Sequence, residues 1–564
     1  MQLRWKINEA DEQKVVALAN TLKISQVVCR LLVQRGIETY EEARKFFRPE
    51  LSHLYNPFLM RDMDKAIARI SEAIARNEKI LIYGDYDVDG TTAVATVYSF
   101  FKDFYPNIDY YLPNRYAEGY GISFQGIDYA VQNNFALIIA LDCGIKSNDK
   151  VAYADERNID FIICDHHTPG DEIPRAVAVL DPKRRDCQYP FKELSGCGIG
   201  FKLIQAYCLH HQLDLEKCYR YLDLVSVSIG ADIVSLTDEN RTLAFFGLQK
   251  LNTNPQPGLQ KLMEVAGSKK TMDITSVVFF LAPRINAAGR MDDAKFAVKL
   301  LIAEEDTSDV QISALQLHKY NSDRKDLDKN ITESALDKIA ADKTLQSKKS
   351  TVLYSPDWHK GVLGIVASRL TETYYRPTIV MCETDGKLTG SARSVKGFDL
   401  YEAIYECREH LIQFGGHTFA AGLTMQKENF ENFAAHFEQV VSSRIKQEQL
   451  IPELEIDAEI EFQEIQPKLY NLIKQMEPFG PGNMKPTFVS RKVKDTGWSK
   501  IVKEEHIKFS VNQKGVVADG IGFKMAKKFD VLKRGNFDIA YHIDENEWNG
   551  NVRLQLMVKD IASE

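Results

Sequence analysis

Three aspartates at two-residue spacing follow a short apolar run near residue 80. In the segment KILIYGDYDVDGTT at 79–92, Asp85, Asp87 and Asp89 come directly after the apolar residues 80–83. Carboxylates this close together repel one another when all are ionised, so the pattern favours a bound cation that neutralises them. A solvated acidic turn is the alternative interpretation of these residues taken alone.

An EF-hand calcium loop begins with the same D-x-D-x-D-G pattern. Its twelfth position is a glutamate, which here is Thr96, and a helix precedes it. The apolar residues before Asp85 instead predict a buried strand, and the segment 90–101 predicts a turn and an amphipathic helix. The sequence therefore excludes an EF-hand and places the carboxylates at the carboxyl end of a strand, where open α/β sheets usually bind ligands.

Two later strands of the same region also end in polar residues. Between residues 79 and 182, apolar runs alternate with helical segments, which predicts a mostly parallel sheet with helices on both faces. Asp142 follows the run ALIIAL, and Asp165, His166 and His167 follow DFIIC. Any one acid could be a cap or a turn residue, but three strand ends that terminate in acids indicate a site.

A further acid lies in an apolar setting. The segment YLDLVSVSIGADIVSL predicts a buried helix that carries Asp232 as its single acid. An unpaired buried carboxylate is costly, so Asp232 requires a partner or a metal ion. A helix-terminal cap is the alternative role for this residue.

These side chains together form an oxygen-rich ligand set with one or two imidazoles. Such a set favours Mn²⁺ or Mg²⁺ over a structural zinc, which prefers thiolates or more imidazole. Carboxylates that can bridge indicate two ions held close together, the arrangement that clamps the attacking water and the leaving oxygen in phosphoryl displacement. The set comprises Asp87, Asp89, Asp142, Asp165, His166, His167 and Asp232.

The rest of the chain predicts an α/β protein. A parallel-sheet domain and a second α/β domain are joined by a long helix, and a C-terminal β-barrel follows. The barrel pattern favours an OB-fold over a sandwich because only about five or six short strands fit. The predicted segments are an N-terminal helical segment packing on the core at 1–75, a catalytic domain at 76–302, a helical connector at 303–346, the second α/β domain at 347–450 and the barrel at 451–564.

Composition excludes several classes of protein. The 564 residues are 44% hydrophobic and 27% charged, as in ordinary globular chains, and no run of about 18 apolar residues or signal peptide is present. We therefore expect a cytoplasmic protein without a membrane partner. Nine cysteines without a C-x-x-C pair do not suggest a disulfide framework. The net charge of -8 argues against broad nucleic-acid coating but not against a local basic groove.

Four motifs resemble those of a known family, the DHH phosphoesterases. They are GDYDVDGTT at 84–92, LDCG at 141–144, DHH at 165–167 and GADIVSL at 230–236, in the order and spacing of that family's metal site. Further segments resemble the branch of the family that degrades single-stranded DNA, and the resemblance covers residues 75–564. These are PNRYAEGYGIS at 113–123, APRINAAGRMDDA at 282–294, DWHKGVLGIVASRL at 357–370, TGSARS at 389–394, GGHTFAAG at 415–422 and EPFGPGNMKPTF at 477–488.

The resemblance implies a role for each motif residue. Asp142 corresponds to the residue that bridges two ions, and Asp85 to a ligand or to a residue that supports the ligands. Asp165 and His167 correspond to residues that orient the site or stabilise charge on the scissile phosphate. The implied metal ligands are Asp87, Asp89, Asp142, His166 and Asp232.

Other implied contacts concern the nucleic acid. Arginine forks bind phosphate, and small neighbours let a backbone approach closely, so the resemblance assigns the 5′ end and the adjacent backbone to Arg115, Arg290, Arg393 and Ser391. Each arginine taken alone is more often part of a surface ion pair. Tyr120 is expected to stack on a base, with a core tyrosine as the alternative. His417 is expected to contact phosphate, with a turn residue as the alternative.

The implied function is metal-dependent hydrolysis of single-stranded DNA from its 5′ end to mononucleotides, in repair and recombination. The family also implies a helicase and a single-strand-binding protein as partners, and a monomer is the default state. One alternative is a DHH phosphodiesterase acting on short oligonucleotides or cyclic dinucleotides, whose relatives lack the C-terminal barrel and the FGPGN segment. Another is an inactive DNA-binding scaffold, but such relatives have lost metal-site acids that are present here.

Overall fold

The computed structural model describes residues 3–268, 271–548 and 551–563. The chain forms two compact units, and each unit contains segments that are separated in the sequence. The larger unit contains Ile7–His318 and the chain from Glu455 onward, and the smaller unit contains Lys319–Leu454 with the N-terminal residues up to Lys6. No helix among the described residues combines the length and the apolar character needed to cross a membrane.

The first 75 residues are helical, as predicted, apart from one short strand. Strand β1 pairs with a strand at Glu453–Ile456. Because this partner is far away in the sequence, the residues around β1 do not indicate it. The helices begin at side-chain caps such as Asp11 and Thr39. The elements are β1 (Arg4–Ile7), α1 (Glu12–Leu22), α2 (Gln26–Val33), α3 (Tyr40–Phe47) and α4 (Met63–Ala75).

A five-stranded parallel sheet lies at the centre of the larger unit, which confirms the predicted fold class. Its strand order is β3-β2-β4-β5-β6, and buried aliphatic side chains line the strands. The strands alternate with helices in chain order: β2 (Lys79–Gly84), α5 (Val88–Lys102), β3 (Ile108–Tyr111), α6 (Phe124–Gln132), β4 (Phe135–Leu141), α7 (Asn148–Asp155), β5 (Asp160–Cys164) and β6 (Ala178–Leu180).

A helical layer follows the sheet, and α10 packs on α5 and α8 within it. Two predictions for this segment were wrong. Asp232 is not its single acid, because Asp223 lies buried in the first turn of α10 and accepts the Gln256 N–H at 2.6 Å, and Asp232 is exposed rather than buried because it follows the last helical residue. The helices are α8 (Gly196–His210), α9 (Glu216–Tyr219), α10 (Leu222–Ala231), α11 (Asp238–Thr253), α12 (Pro257–Val265), α13 (Ile274–Ser276), α14 (Ala282–Met291) and α15 (Lys295–Leu301).

The smaller unit is built on a mixed five-stranded sheet of order β10-β11-β9-β8-β7, in which only β7 and β8 are parallel. A long helix leads into it from the larger unit, as the sequence predicted. The elements are α16 (Ser308–Ala341), α17 (Lys343–Ser347), β7 (Thr351–Tyr354), α18 (Leu363–Tyr374), β8 (Thr378–Thr384), β9 (Lys387–Arg393), α19 (Leu400–Glu406), β10 (Leu411–His417), β11 (Ala420–Gln426) and α20 (Phe430–Arg444).

The C-terminal strands form the predicted barrel. Their order is β13-β14-β18-β19-β17-β16-β15, and an additional pairing of β14 with β16 closes the sheet. The elements are β12 (Glu453–Ile456), β13 (Ala458–Glu459), α21 (Pro467–Lys474), β14 (Phe488–Asp495), β15 (Lys500–Val502), β16 (His506–Gln513), β17 (Val516–Gly522), α22 (Phe529–Leu532), β18 (Phe537–Trp548) and β19 (Asn551–Ser563).

Arg241 on α11 joins three parts of the larger unit. Its guanidinium is buried and donates to the carbonyl of Phe46 at 3.0 Å, of Met476 at 2.8 Å and of Glu477 at 2.9 Å. The guanidinium also lies over the Phe46 ring, 3.9 Å from its centre. One side chain therefore holds the N-terminal helices and the segment before the barrel against the helical layer of the catalytic sheet.

Candidate metal centre

Strand register brings the acids together. Gly84 of β2 lies opposite Leu141 of β4, and Leu141 lies opposite Cys164 of β5. Each of these residues is followed directly by an aspartate, so Asp85, Asp142 and Asp165 form a row along one edge of the parallel sheet. All three are buried. Asp142 adopts a left-handed backbone with φ 59°, a conformation that aspartate tolerates better than most residues.

The first turn of α5 carries the other two acids of the first motif. Asp87 is the N-cap, and its Oδ1 accepts the Gly90 N–H at 2.9 Å. Asp89 lies inside the helix and is buried. The motif therefore places Asp85 at the end of a strand and Asp87 and Asp89 at the start of the next helix.

His166 lies at the centre of the acidic cluster. Its Nε2 is 3.1 Å from Oδ1 of Asp142, 3.6 Å from Oδ2 of Asp232 and 3.7 Å from Oδ2 of Asp89. Two sets of three ligand atoms share this imidazole, one with Asp142 and His167 and the other with Asp89 and Asp232. The carboxylates that share His166, from Asp89, Asp142 and Asp232, fit neighbouring divalent cations.

Several buried polar atoms of this cluster have no hydrogen-bond partner within the described chain. They are both carboxylate oxygens of Asp142, Oδ2 of Asp85 and both ring nitrogens of His166. Burial, reinforced by neighbouring aspartates, raises the pKa of Asp142 well above its usual range and also raises the pKa of Asp85 and Asp87. A bound cation relieves both the missing partners and the mutual repulsion. The residues therefore fit Mn²⁺ or Mg²⁺.

Asp165 and His167 form an ion pair beside these acids. Nδ1 of His167 lies 2.7 Å from Oδ1 of Asp165, and Oδ2 of Asp165 accepts the Ile145 N–H at 2.9 Å. Burial opposes both charges, but their pairing lowers the pKa of Asp165 to about 2 and raises the pKa of His167 to about 9. The pair is therefore charged at neutral pH and presents a cationic imidazole to the cluster.

Arg115 and Tyr120 lie at the rim of the same cluster. The Tyr120 hydroxyl is 3.4 Å from Nε2 of His167, and its ring meets Tyr86 edge-on at 5.9 Å. Tyr120 is 53% exposed, which excludes the alternative of a core tyrosine. The Arg115 guanidinium lies 5.2 Å from the ring centre of Tyr86. Aromatic and cationic groups therefore lie beside the acids.

Arg290 is brought to this rim by the end of α14. The Tyr116 hydroxyl donates to the Arg290 carbonyl, and Gly289 faces the first motif. A Cβ at Gly289 would lie 2.9 Å from the Tyr86 carbonyl oxygen, so only glycine allows this close approach. The segment APRINAAGRMDDA is therefore in contact with the segment GDYDVDGTT.

The remaining predicted residues lie in the smaller unit. Nη1 of Arg393 donates to Oγ of Ser391 at 3.1 Å on β9, and within the described residues Arg393 makes no ion pair. A Cβ at Gly364 would lie 2.7 Å from a guanidinium nitrogen of Arg393, so α18 leaves room for this side chain. His417 is exposed and ends strand β10. It pairs with Ala420 across the two-residue turn of the β10–β11 hairpin, so it lies directly at that turn.

Sequence reasoning missed the residues that hold Asp89. Its carboxylate accepts the Gly196 N–H at 2.7 Å, the Cys197 N–H at 2.8 Å and the Ser228 hydroxyl at 2.6 Å. A Cβ at Gly196 would lie 2.5 Å from the Cβ of Asp142, so glycine is required there. The only available signal was the run SGCGIG at 195–200, which places closely spaced glycines at the start of a helix.

Glu118 was also missed, although it lies in a segment that the sequence singled out. Its carboxylate accepts the Asn114 N–H at 2.8 Å, the Tyr111 hydroxyl at 2.9 Å and the Ser123 hydroxyl at 2.5 Å. These bonds fold the loop that carries Arg115 back onto the sheet.

A parallel sheet with three acidic motifs at its strand ends, and a fourth at the end of α10, defines the class of DHH phosphoesterases. Models of known families match three parts of the chain. The DHH family N-terminal domain matches residues 79–229, the DHHA1 domain matches 347–443 and the RecJ OB domain matches 456–560.

Individual relatives narrow the class. The chain is similar to the single-stranded-DNA-specific exonuclease RecJ of Bacillus subtilis, with 36% identity over all of this chain and 71% of the relative, and to that of Haemophilus influenzae, with 32% identity over 97% and 98%. The crystal structure of RecJ with Mn²⁺ from Thermus thermophilus matches with a TM-score of 0.85 and 25% identity, covering all of this chain and 80% of that one. The chain belongs to the RecJ family.

Proposed function

We propose that this chain is a metal-dependent exonuclease that hydrolyses single-stranded DNA from its 5′ end and releases mononucleotides. The observation that carries the proposal is the acidic cluster around His166, in which both Asp142 carboxylate oxygens and both His166 ring nitrogens are buried without a hydrogen-bond partner within the described chain. Bound Mn²⁺ or Mg²⁺, two ions in all, would supply an activated water and neutralise charge on the phosphate. The relatives to which the chain is similar are named single-stranded-DNA-specific exonucleases.

The roles of the cluster residues follow from their positions. Asp142 contacts His166 and belongs to the row at the sheet edge, which suits a ligand shared by both ions. Asp85 has one oxygen turned to backbone N–H groups and one without a partner, so it supports the ligands or joins them. The proposed metal ligands are Asp87, Asp89, Asp142, His166 and Asp232.

His167 is proposed to stabilise negative charge on the scissile phosphate. Its pairing with Asp165 keeps the imidazole protonated at neutral pH and fixes the orientation of the ring. The Tyr120 hydroxyl near Nε2 holds the other side of that ring. Tyr120 is exposed enough to stack on a base of the strand as well.

The arginines are proposed to bind the DNA backbone. Arg115 and Arg290 lie beside the acidic cluster, where the terminal 5′ phosphate would be held while the adjacent bond is cut. In the smaller unit, Arg393 is half-buried without an ion pair among the described residues, so a phosphate would satisfy its charge. Ser391 and His417 are proposed to contact the same backbone.

The C-terminal barrel supports a single-stranded polymer as the substrate. The matched RecJ OB domain covers residues 456–560, and OB-folds bind single strands without reading sequence. Enzymes restricted to short oligonucleotides or cyclic dinucleotides do not need such a domain, so this alternative is less favoured. The proposal also includes a cytoplasmic location, a monomeric chain as the default state and, from the family resemblance, a helicase and a single-strand-binding protein as partners.

End-labelled DNA tests polarity and product together. The purified chain is incubated with Mn²⁺ and single-stranded DNA labelled at the 5′ or at the 3′ end. We expect immediate labelled mononucleotide from the 5′ label and a shrinking ladder from the 3′ label. Cleavage of blunt duplex at the same rate as single strand would contradict the proposal, and hydrolysis of dinucleotides without cleavage of long strands would favour the alternative.

A further inference from the structure

A second group of metal-binding side chains lies in the smaller unit. Glu409 and His410 belong to the single turn Arg408–His410 that precedes β10, and His436 lies on α20. Nε2 of His410 and Nδ1 of His436 are 3.3 Å apart, and Oε1 of Glu409 is 3.5 Å from each of them. Two imidazole nitrogens and one carboxylate oxygen therefore form a nearly equilateral triangle.

The size of this triangle matches one face of a tetrahedral metal site. Ligands at Zn–N and Zn–O distances of about 2.0–2.1 Å stand about 3.3–3.4 Å apart in a tetrahedron. A carboxylate that simply accepted a hydrogen bond from one imidazole would lie about 2.8 Å from that nitrogen and farther from the other. Glu409 is instead equidistant from both nitrogens, at distances too long for strong hydrogen bonds.

Fixed backbone carries both histidines. The His410 N–H donates to the carbonyl of the buried Cys407 at 3.1 Å, and the Asn429 side chain donates to the His410 carbonyl at 3.1 Å. His436 lies between Phe433 and Phe437 in sequence, and both of these residues are fully buried and anchor α20. The two imidazole corners of the triangle are thus attached to the core of the unit, whereas the Glu409 corner is exposed.

We propose that Glu409, His410 and His436 bind one Zn²⁺ ion, with water as the fourth ligand. Imidazole with one carboxylate suits zinc, whereas the oxygen-rich cluster around His166 suits Mn²⁺ or Mg²⁺. Exposure of 19% for the His410 side chain and 32% for that of His436 leaves the fourth position open to solvent. The ion joins the start of the edge strand β10 to α20 and so holds the strand that ends in His417.

Cobalt provides a direct test, because tetrahedral Co²⁺ absorbs visible light far more strongly than octahedral Co²⁺. The full-length, tag-free chain is stripped of metal, saturated with Mn²⁺ to fill the carboxylate cluster, and titrated with Co²⁺. The variants are His410→Gln, His436→Gln and Glu409→Gln. His210→Gln is the matched control, since His210 stands beside His211 with ring centres 4.9 Å apart but belongs to no metal-ligand group of the described chain.

We expect one strongly absorbing Co²⁺ per chain in the parent and in His210→Gln, displaced by Zn²⁺. Both histidine variants should bind it at least about tenfold more weakly. A weak octahedral spectrum in the parent, or the same tetrahedral bands in the histidine variants, would overturn the proposal. If the histidine variants do not fold, Glu409→Gln decides, because the Glu409 side chain is 70% exposed and its replacement leaves packing intact. Unchanged Co²⁺ affinity in that variant also overturns the proposal.

Discussion

Replacing Ser228 by alanine should weaken the binding of the catalytic cations without removing any ligand. The Ser228 hydroxyl donates to Oδ1 of Asp89 at 2.6 Å, and the Ser195 hydroxyl lies 2.6 Å from the Ser228 hydroxyl. A serine has one proton to donate, so the charged carboxylate takes it and Ser195 donates to Ser228 in turn. The chain of hydroxyls therefore fixes the carboxylate that faces His166.

The expected size of the effect follows from the number of donors. Asp89 accepts two further hydrogen bonds from backbone N–H groups, so it loses one of three in the variant. A hydrogen bond to a charged group contributes about 1.5–3 kcal/mol. At about 1.4 kcal/mol for each factor of ten, cation affinity should fall about 10- to 100-fold. Turnover at saturating Mn²⁺ should recover most of its parent value because every ligand remains.

The same helix provides the control. Ser226 is also buried on α10, but its hydroxyl donates to the backbone carbonyl of Asp223 at 2.8 Å, outside the metal cluster. The half-saturating Mn²⁺ concentration for cleavage of single-stranded DNA is measured for the parent, Ser228→Ala and Ser226→Ala. Only the Ser228 variant should shift. Equal half-saturation in the two alanine variants would refute the argument that Ser228 acts through Asp89.

Three further predictions concern ligation, folding and pH. Asp142→Asn should lower turnover more than about 100-fold at any Mn²⁺ concentration, because replacing a residue that only supports a metal ligand already lowers activity by up to about 100-fold. Near-parent activity would contradict the assignment of Asp142 as a ligand. Arg241→Met should lower the free energy of unfolding, measured by urea titration, by about 3–5 kcal/mol. The substitution leaves several buried carbonyl groups without a hydrogen-bond donor. Burial lowers the pKa of His542 to about 3, so the unfolded chain binds the extra proton as the pH falls below about 6.5 and stability declines by up to about 1.4 kcal/mol per pH unit. His542→Gln should flatten this slope between about pH 7 and pH 5, and an unchanged slope would show that other groups cause it.

The acids of the centre could be predicted because their positions depend on local pattern and simple sheet geometry. An apolar run followed by an aspartate marks a strand end, and parallel register then aligns the ends of β2, β4 and β5. The residues that hold Asp89 in place are not marked by such a local sequence pattern. Gly196 and Ser228 reach Asp89 across 107 and 139 residues of chain, and neither carries a pattern of its own beyond a helix start and an apolar helix.

Long-range pairing also explains what the sequence missed in the fold. The strand β1 is four residues long and pairs with β12, whose residues lie at the other end of the smaller unit's sequence. Local hydrophobic pattern around Arg4–Ile7 cannot reveal such a partner. The same holds for the grouping of the chain, since Ile7–His318 forms one unit with residues beyond Glu455. Such contacts are decided by tertiary packing, which Arg241 illustrates by binding carbonyls more than 190 residues away on either side.

The two histidines of the DHH triplet differ in their electrostatic environment although they are adjacent in sequence. Burial lowers the pKa of His166, so this imidazole is neutral and has a lone pair to offer to a metal ion. The next residue, His167, is held protonated by Asp165 and offers positive charge instead. Adjacent histidines therefore differ in protonation state at neutral pH, because burial outweighs the nearby carboxylates at His166 whereas His167 is paired with Asp165 at 2.7 Å. If His166 were placed in the environment of His167, or the reverse, one of the two proposed functions would be lost. The proposed chemistry therefore depends on the order Asp-His-His and not on composition alone.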